Sequence, residues 1–213
     1  MQMLKKWMLI LAVLLVMPGV EAIANTDVAP DVVLQEHARR VMAELSRDGG
    51  AIKDDMNRLY QLVEREILPL VDFKSMSKLI LGKHWRKASK EQRKAFIAAF
   101  RNLLVNTYTK SLKQYANQNI KFFPHRTRVK GKYATVYSEF VPGNGQRNVP
   151  VIYKLRKDKH GEWKAYNLEI EGLSVVKNFR TDFNSEINAK GLDALIARLE
   201  REQAERRKEA EAN

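Results

Sequence analysis

Four histidines are the first residues to test for chemistry, because imidazole serves both as a metal ligand and as an acid–base group near neutral pH. His37, His84, His125 and His160 are scattered along the chain, and none has a second ligand at helical spacing. Glu169 and Glu171 stand two apart, which on a strand gives them one face. The alternation around them makes that the polar face, where solvation accounts for the pair. Asp54 and Asp55 are adjacent on a predicted helix and point apart. The chain carries no Gly-x-Ser-x-Gly elbow and no His-Glu-x-x-His pair. Gly143-Asn144-Gly145 reads as a hairpin turn rather than a phosphate cradle. Cysteine is absent, which excludes disulfides, thiolate zinc sites, thiol nucleophiles and acyl-cysteine anchors. These residues nominate no catalytic group, no metal and no cofactor.

What stands out instead is charge. The 213 residues carry a formal net charge of +13, so the expected partners are anionic. Arg126, Arg128, Lys130 and Lys132 surround a predicted turn, with Tyr133 and Tyr137 close by. Such a strand pair has the composition of a single-strand nucleic-acid binder. No readout motif accompanies it, and the N-terminus directs the chain away from nucleic acid, so no nucleic acid is expected as a partner.

That N-terminus has three parts. Lys5 and Lys6 precede an apolar run from Trp7 to Met17, Pro18 and Gly19 break the run, and small residues follow at Ala22 and Ala24. This is the layout of a secretory signal peptide. Its apolar run is too short to cross a bilayer core, which needs roughly 20 residues. The expectation is an exported chain with residues 1–24 removed, cut after Ala24 or Ala22.

The elements that follow change period twice. Apolar positions at spacings of three and four predict helices from Pro30 to about Arg47, over Ile52–Ile67, through Met76, Leu79 and Ile80 after an Asp72 cap, and from Ser89 through Phe96, Phe100, Leu104 and Tyr108 to Tyr115. Ser89 and Gln92 form a capping box. From Ile120 to Ile170 the pattern alternates. Four strands are predicted: Ile120–Arg128, Ala134–Val141, Asn148–Lys157 and Glu162–Glu171. Tyr166, Leu168 and Ile170 are expected to share the apolar face. Helix returns after Gly172, and Gly191 divides it. Residues 25–199 read as one α+β domain with helices on one face of an antiparallel four-stranded sheet. Residues 200–213 read as a charged, frayed tail.

Particular residues then carry a family resemblance. Asp72 and Met76 lead into Leu81-Gly82-Lys83-His84-Trp85, followed by Ser89, Gln92, Phe96, Phe100, Leu104, Tyr108 and Tyr115. Later come Val151-Ile152-Tyr153-Lys154-Leu155, Trp163-Lys164-Ala165-Tyr166, and Ile170-Glu171-Gly172-Leu173-Ser174-Val175-Val176 with Asn178-Phe179-Arg180 and Phe183 in frame. This order and spacing resembles the MlaC-type (toluene-tolerance) periplasmic phospholipid-binding proteins of Gram-negative bacteria. One departure is visible: Asn167 stands where that family usually has Asp.

The resemblance implies a fold of the nuclear-transport-factor superfamily, with a hydrophobic cavity between helices and a curved sheet. It implies a periplasmic shuttle for diacyl phospholipid between an outer-membrane lipoprotein complex and an inner-membrane ABC transporter complex, maintaining outer-membrane lipid asymmetry. A monomer is expected of a carrier that docks alternately on two membranes. On this reading the cavity wall is Met76, Leu79, Ile80, Phe96, Phe100, Leu104 and Tyr108 from the first helices. The sheet adds Val136, Val151, Tyr153, Leu155 and Leu168, and the later helix adds Val175 and Phe179. Lys83, His84, Arg86 and Arg147 are the candidates for the headgroup or a docking surface. The competing reading is an exported enzyme of the same superfamily acting on a small apolar substrate.

Overall fold

The computed structural model describes residues 28–47, 52, 55–109, 119–142 and 145–211. The predicted signal peptide, Asp54, Leu112 and Tyr115 lie outside them. Seven α-helices among these residues pack on an open antiparallel sheet: α1 (Pro30–Ser46), α2 (Met56–Leu62), α3 (Phe73–Leu81), α4 (Lys83–Lys87), α5 (Lys90–Thr109), α6 (Val175–Lys190) and α7 (Leu192–Glu211). The α+β reading holds.

Local chemistry sets the helix ends. Pro30 opens α1 at the first turn, where a missing N–H costs nothing. Asp55 is not on a helix face; it caps α2, its carboxylate accepting from the Arg58 N–H at 3.1 Å. Ser89 and Gln92 form both bonds of the capping box, at 3.0 and 2.9 Å. Gly82, at φ 52° and ψ −115°, ends α3 and starts α4. No other residue takes that conformation without strain, and the Arg180 guanidinium packs where a side chain would stand.

Among the described residues the sheet has six strands rather than four: β1 (Asn119–Phe122), β2 (Arg128–Lys130), β3 (Tyr133–Val141), β4 (Val149–Lys157), β5 (Trp163–Ile170) and β6 (Leu173–Ser174). The predicted strand Ile120–Arg128 is two, lying end to end along one edge of β3. Pro124 separates them by opening a 3₁₀ turn; proline has no N–H for the ladder. Leu173 and Ser174, expected to begin the next helix, fold back on β5 as β6. A bulge in β5 pairs Lys154 with Asn167 but Leu155 with Ala165. Tyr166 is the extra residue, and it meets Tyr133 on the opposite face, with ring centroids 6.2 Å apart. It therefore leaves the face it was expected to share with Leu168.

The register fixes an inner face. Val136 pairs with Tyr153, which pairs with Leu168; Ser138 pairs with Val151, which pairs with Ile170. Leu34 of α1 covers one end of this face with Ala134, Val136, Leu155 and Trp163. Glu66 anchors α1, accepting from Arg40 Nε at 2.7 Å and Arg65 Nε at 3.0 Å. A second core forms among α3–α7 around Phe96 and Phe100.

The tail does not fray at Glu200: α7 continues to Glu211. Arg198 holds it, donating to Glu186 from Nη2 (2.7 Å) and to Glu202 from Nη1 (2.6 Å), and Asn102 of α5 donates to Gln203 at 2.8 Å. Asn167 does without a carboxylate. Its side-chain oxygen accepts from the Val176 N–H and the Ser174 hydroxyl, each at 3.1 Å, satisfying the start of α6.

Asp72 joins the two layers. It caps α3 through the Ser75 N–H (2.8 Å) and accepts from Arg156 Nε of β4 (2.6 Å). Burial alone would raise its pKa, but the Ser75 and Arg156 hydrogen bonds outweigh it and hold the carboxyl below the ordinary range. Stability from a depressed carboxyl is full above the unfolded aspartate value, about 3.9, and is lost as pH falls through the folded one. Asp72→Ala is expected to cost about 1–3 kcal/mol at neutral pH. The difference from the unsubstituted protein should shrink in acid below about pH 4, as read by denaturant unfolding across pH. A difference independent of pH would show that the cost is not that of the ionised carboxylate.

Candidate functional site

An apolar wall comes first. Along the inner face, Ile120 and Phe122 of β1, Phe140 of β3, Tyr153 of β4, and Leu168 and Ile170 of β5 are all partly accessible or line a groove. The groove, of ≈ 790 Å³, runs between α1 and β1. Val32, Ala38 and Met42 of α1 face Ile120, Phe122 and Pro124 across it, and Gln35, Glu36 and Arg39 add polar atoms. That volume is in the upper part of the range for small-ligand sites. Phe122 links groove to sheet, stacking on Tyr153 with centroids 6.2 Å apart and planes at 19°. Burial raises the Tyr153 pKa, with the Ser138 hydroxyl as its polar neighbour, so the ring presents a neutral phenol.

The residues expected to form the wall divide into three groups. Phe96, Phe100, Val136 and Leu155 are 0% exposed, and Met76, Ile80 and Val151 are also buried. Phe96 and Phe100 stack 5.8 Å apart, and Phe100 meets the edges of Phe179 at 5.2 Å and Phe183 at 6.3 Å. A side chain that shows no surface to a water-sized probe cannot line an open space, so in this conformation Phe96 and Phe100 are core. Leu104, Tyr153, Leu168, Val175 and Phe179 are half-buried and keep surface that a ligand can touch. Leu79 and Tyr108, by contrast, are 40% and 45% exposed.

The basic candidates are not assembled into one group. Lys83, His84 and Arg86 share α4. His84 Nε2 meets Asn184 Oδ1 at 2.9 Å, holding α4 to α6. Arg147 lies on the β3–β4 connection and pairs with Glu171 at 3.2 Å. Glu171 occupies the β5–β6 turn at φ 51°, so it is not beside Glu169 on a strand face. A second cleft, of ≈ 570 Å³, brings together two histidines distant in sequence. His37 and His160 line it with Lys157, Lys164, Leu70 and Trp163. Among the described residues no three His, Asp or Glu side chains converge as a metal site. Nor is any helix there long and apolar enough to cross a membrane.

The α1–β1 groove was not found from sequence. Val32, Gln35, Arg39, Met42 and Ser46 recur at helical spacing, a second stripe beside the core-facing Leu34, Val41 and Leu45. Three of these five are polar, so periodicity alone does not mark the stripe as a wall.

Comparison with known proteins adds the following. The family model described as "MlaC protein" matches residues 35–201. The Haemophilus influenzae protein "Intermembrane phospholipid transport system binding protein MlaC" is 28% identical over 198 residues, covering 92% of each chain. "Toluene tolerance protein ttg2D" of Pseudomonas putida is 32% identical over 165 residues, covering 77% of this chain and 75% of that one. Among solved structures, a phospholipid-binding protein from Ralstonia solanacearum, determined in complex with a phospholipid, superposes with a TM-score of 0.73. It is 24% identical, and the match covers 84% of this chain and 98% of that one; at that identity the likeness speaks for the fold.

Proposed function

The chain belongs to the MlaC family, and from that membership we propose that it is a non-enzymatic carrier of diacyl phospholipid in the periplasm. In this reading residues 1–24 are a removed signal, 25–199 hold the lipid and 200–213 are a charged tail, which extends the last helix as far as Glu211. The carrier works as a monomer. It passes lipid between an outer-membrane lipoprotein complex and an inner-membrane ABC transporter complex, and so maintains outer-membrane lipid asymmetry.

One observation supports the reading above the others: Phe122, which lines a groove of ≈ 790 Å³, stacks on Tyr153 of the apolar sheet face. The physical need is plain. Two acyl chains carry on the order of 30 methylenes, each costing about 0.8 kcal/mol to expose. Lipid does not cross water unaided, so the tails need enclosure. A bilayer shields tails equally well, so transfer into the protein gains little free energy, and direction comes from the partners. Leu104, Tyr153, Leu168, Val175 and Phe179 are the expected wall residues that meet the tails. Met42, Ile120 and Phe122 join them. The headgroup stays near water, because enclosing its phosphate without partners is costly. Lys83, His84, Arg86 and Arg147 serve docking surfaces in this reading.

Organic-solvent extraction of the purified mature protein tests this. About one phospholipid per chain, of mixed headgroup class, is expected. Lipid-free protein would remove the carrier reading.

A further inference from the structure

The sheet has a second face. Residues that pair in register share a side, so Lys121, Arg128, Lys130, Lys154, Arg156 and Lys164 lie together, opposite the apolar wall. Only Glu139 and Glu169 join them from the strands. Asp72 and Glu162 neutralise Arg156 and Lys164, and the surplus remains positive. Helix α1 packs on the inner side through Leu34, which leaves Lys121, Arg128 and Lys130 exposed.

Aromatic rings lie beneath Lys121 and two neighbouring cations, Arg126 and Lys132. Arg126 sits 4.7 Å above Tyr137 and 5.5 Å above Phe123. Lys121 is 5.5 Å from the Phe123 ring and Lys132 is 5.7 Å from Tyr133. We propose that this face docks the protein reversibly on an anionic phospholipid bilayer, with β1 and the groove beside it turned to the headgroups. The proposal rests on the carrier reading and adds where such a carrier touches the membrane.

Three features favour a bilayer. Cations carried on apolar ring bodies match the headgroup layer, where a charged tip and an apolar stem are both satisfied. Nucleic acid needs free ring faces for base stacking, and here cations cover the rings of Phe123, Tyr133 and Tyr137. The third feature is position. In β1, Lys121 belongs to the basic face while its neighbours Ile120 and Phe122 line the groove. One strand therefore borders both, and docking brings the groove rim to the lipid surface.

The test is sedimentation of the full mature protein with vesicles of phosphatidylcholine alone or of phosphatidylcholine with phosphatidylglycerol. Binding is expected only to the anionic vesicles, and it should weaken as salt rises. Each basic side chain near such a surface contributes about fivefold to partitioning, so Lys121→Gln/Lys130→Gln/Lys132→Gln should lose about a hundredfold. A control with the same charge change elsewhere, Lys177→Gln/Lys190→Gln/Lys208→Gln, should stay within a few-fold of the unsubstituted protein. Equal losses in the two triple variants would reduce the effect to net charge and overturn the proposal. So would failure to bind anionic vesicles, or displacement from them by a single-stranded oligonucleotide. Phospholipid content is measured on the same samples. Lipid-loaded protein that ignores vesicles defeats the docking face alone, whereas lipid-free protein defeats the carrier reading beneath it.

Discussion

Phe100→Ala will lower the unfolding free energy by about 3–5 kcal/mol and leave the amount of bound phospholipid unchanged. Phe100 shows no surface and packs its ring against Phe96, Phe179 and Phe183. Truncation opens a hole in the core shared by α3–α7, which those elements can only partly close. In a chain of this size the melting temperature should fall by about 10 °C. Lipid content should survive, because the ring does not border the groove. A variant that melts normally but loses lipid would put Phe100 in the wall and would move the site to the helical layer.

The opposite pattern is expected at Phe122. Phe122→Asp will strip phospholipid from the purified protein at a smaller cost in stability. A neutral polar group held against acyl chains without a hydrogen bond already costs about 2–7 kcal/mol, and an ionised carboxylate costs more, a loss of at least about thirtyfold in occupancy. The ring is half-buried on a four-residue edge strand, so its truncation disturbs less packing than that of Phe100. Phe122→Leu, which keeps an apolar surface, should retain lipid. Full occupancy in Phe122→Asp would remove the groove from the account.

These two phenylalanines show where the sequence was legible and where it was not. Helical spacing placed Phe100 on the apolar stripe of α5 correctly, but core and cavity wall have the same signature. Only packing against Phe96, Phe179 and Phe183 decides between them. Strands β3, β4 and β5 were readable because one face is apolar and the other charged. The inner-face pairs Val136–Tyr153 and Tyr153–Leu168 follow from that alternation. The Tyr166 bulge was hidden, since an extra residue leaves no mark in composition. Pro124 did leave a mark: a proline within a predicted strand signals a break, and alternation on both sides masked it. The extension of α7 carries no apolar stripe beyond Leu199. It is held instead by the ties of Arg198 and Gln203 to Glu186, Glu202 and Asn102, contacts that hydropathy does not register.

The groove was least legible of all. Its α1 side mixes Val32 and Met42 with Gln35 and Arg39, and its β1 side is four residues long. The residues become a site because α1 lies on the sheet through Leu34, with Arg40 holding the helix to Glu66 of the segment Val63–Ile67 at 2.7 Å. His37 Nδ1 stands 3.2 Å from the same carboxylate. Arg40 and His37 lie one turn apart on α1, so this buried acid ties the helix to the segment Val63–Ile67.

Where the acyl chains lie is the point on which the account turns. Loading the protein with a phospholipid that carries a photoreactive group near the end of one tail, irradiating it and sequencing the cross-linked peptides answers this directly. The cross-links should fall on β1, β4 and β5, at or next to Phe122, Tyr153 and Leu168, and on Met42 of α1. Cross-links confined to α3 and α5 around Met76, Phe96 and Phe100 would contradict it.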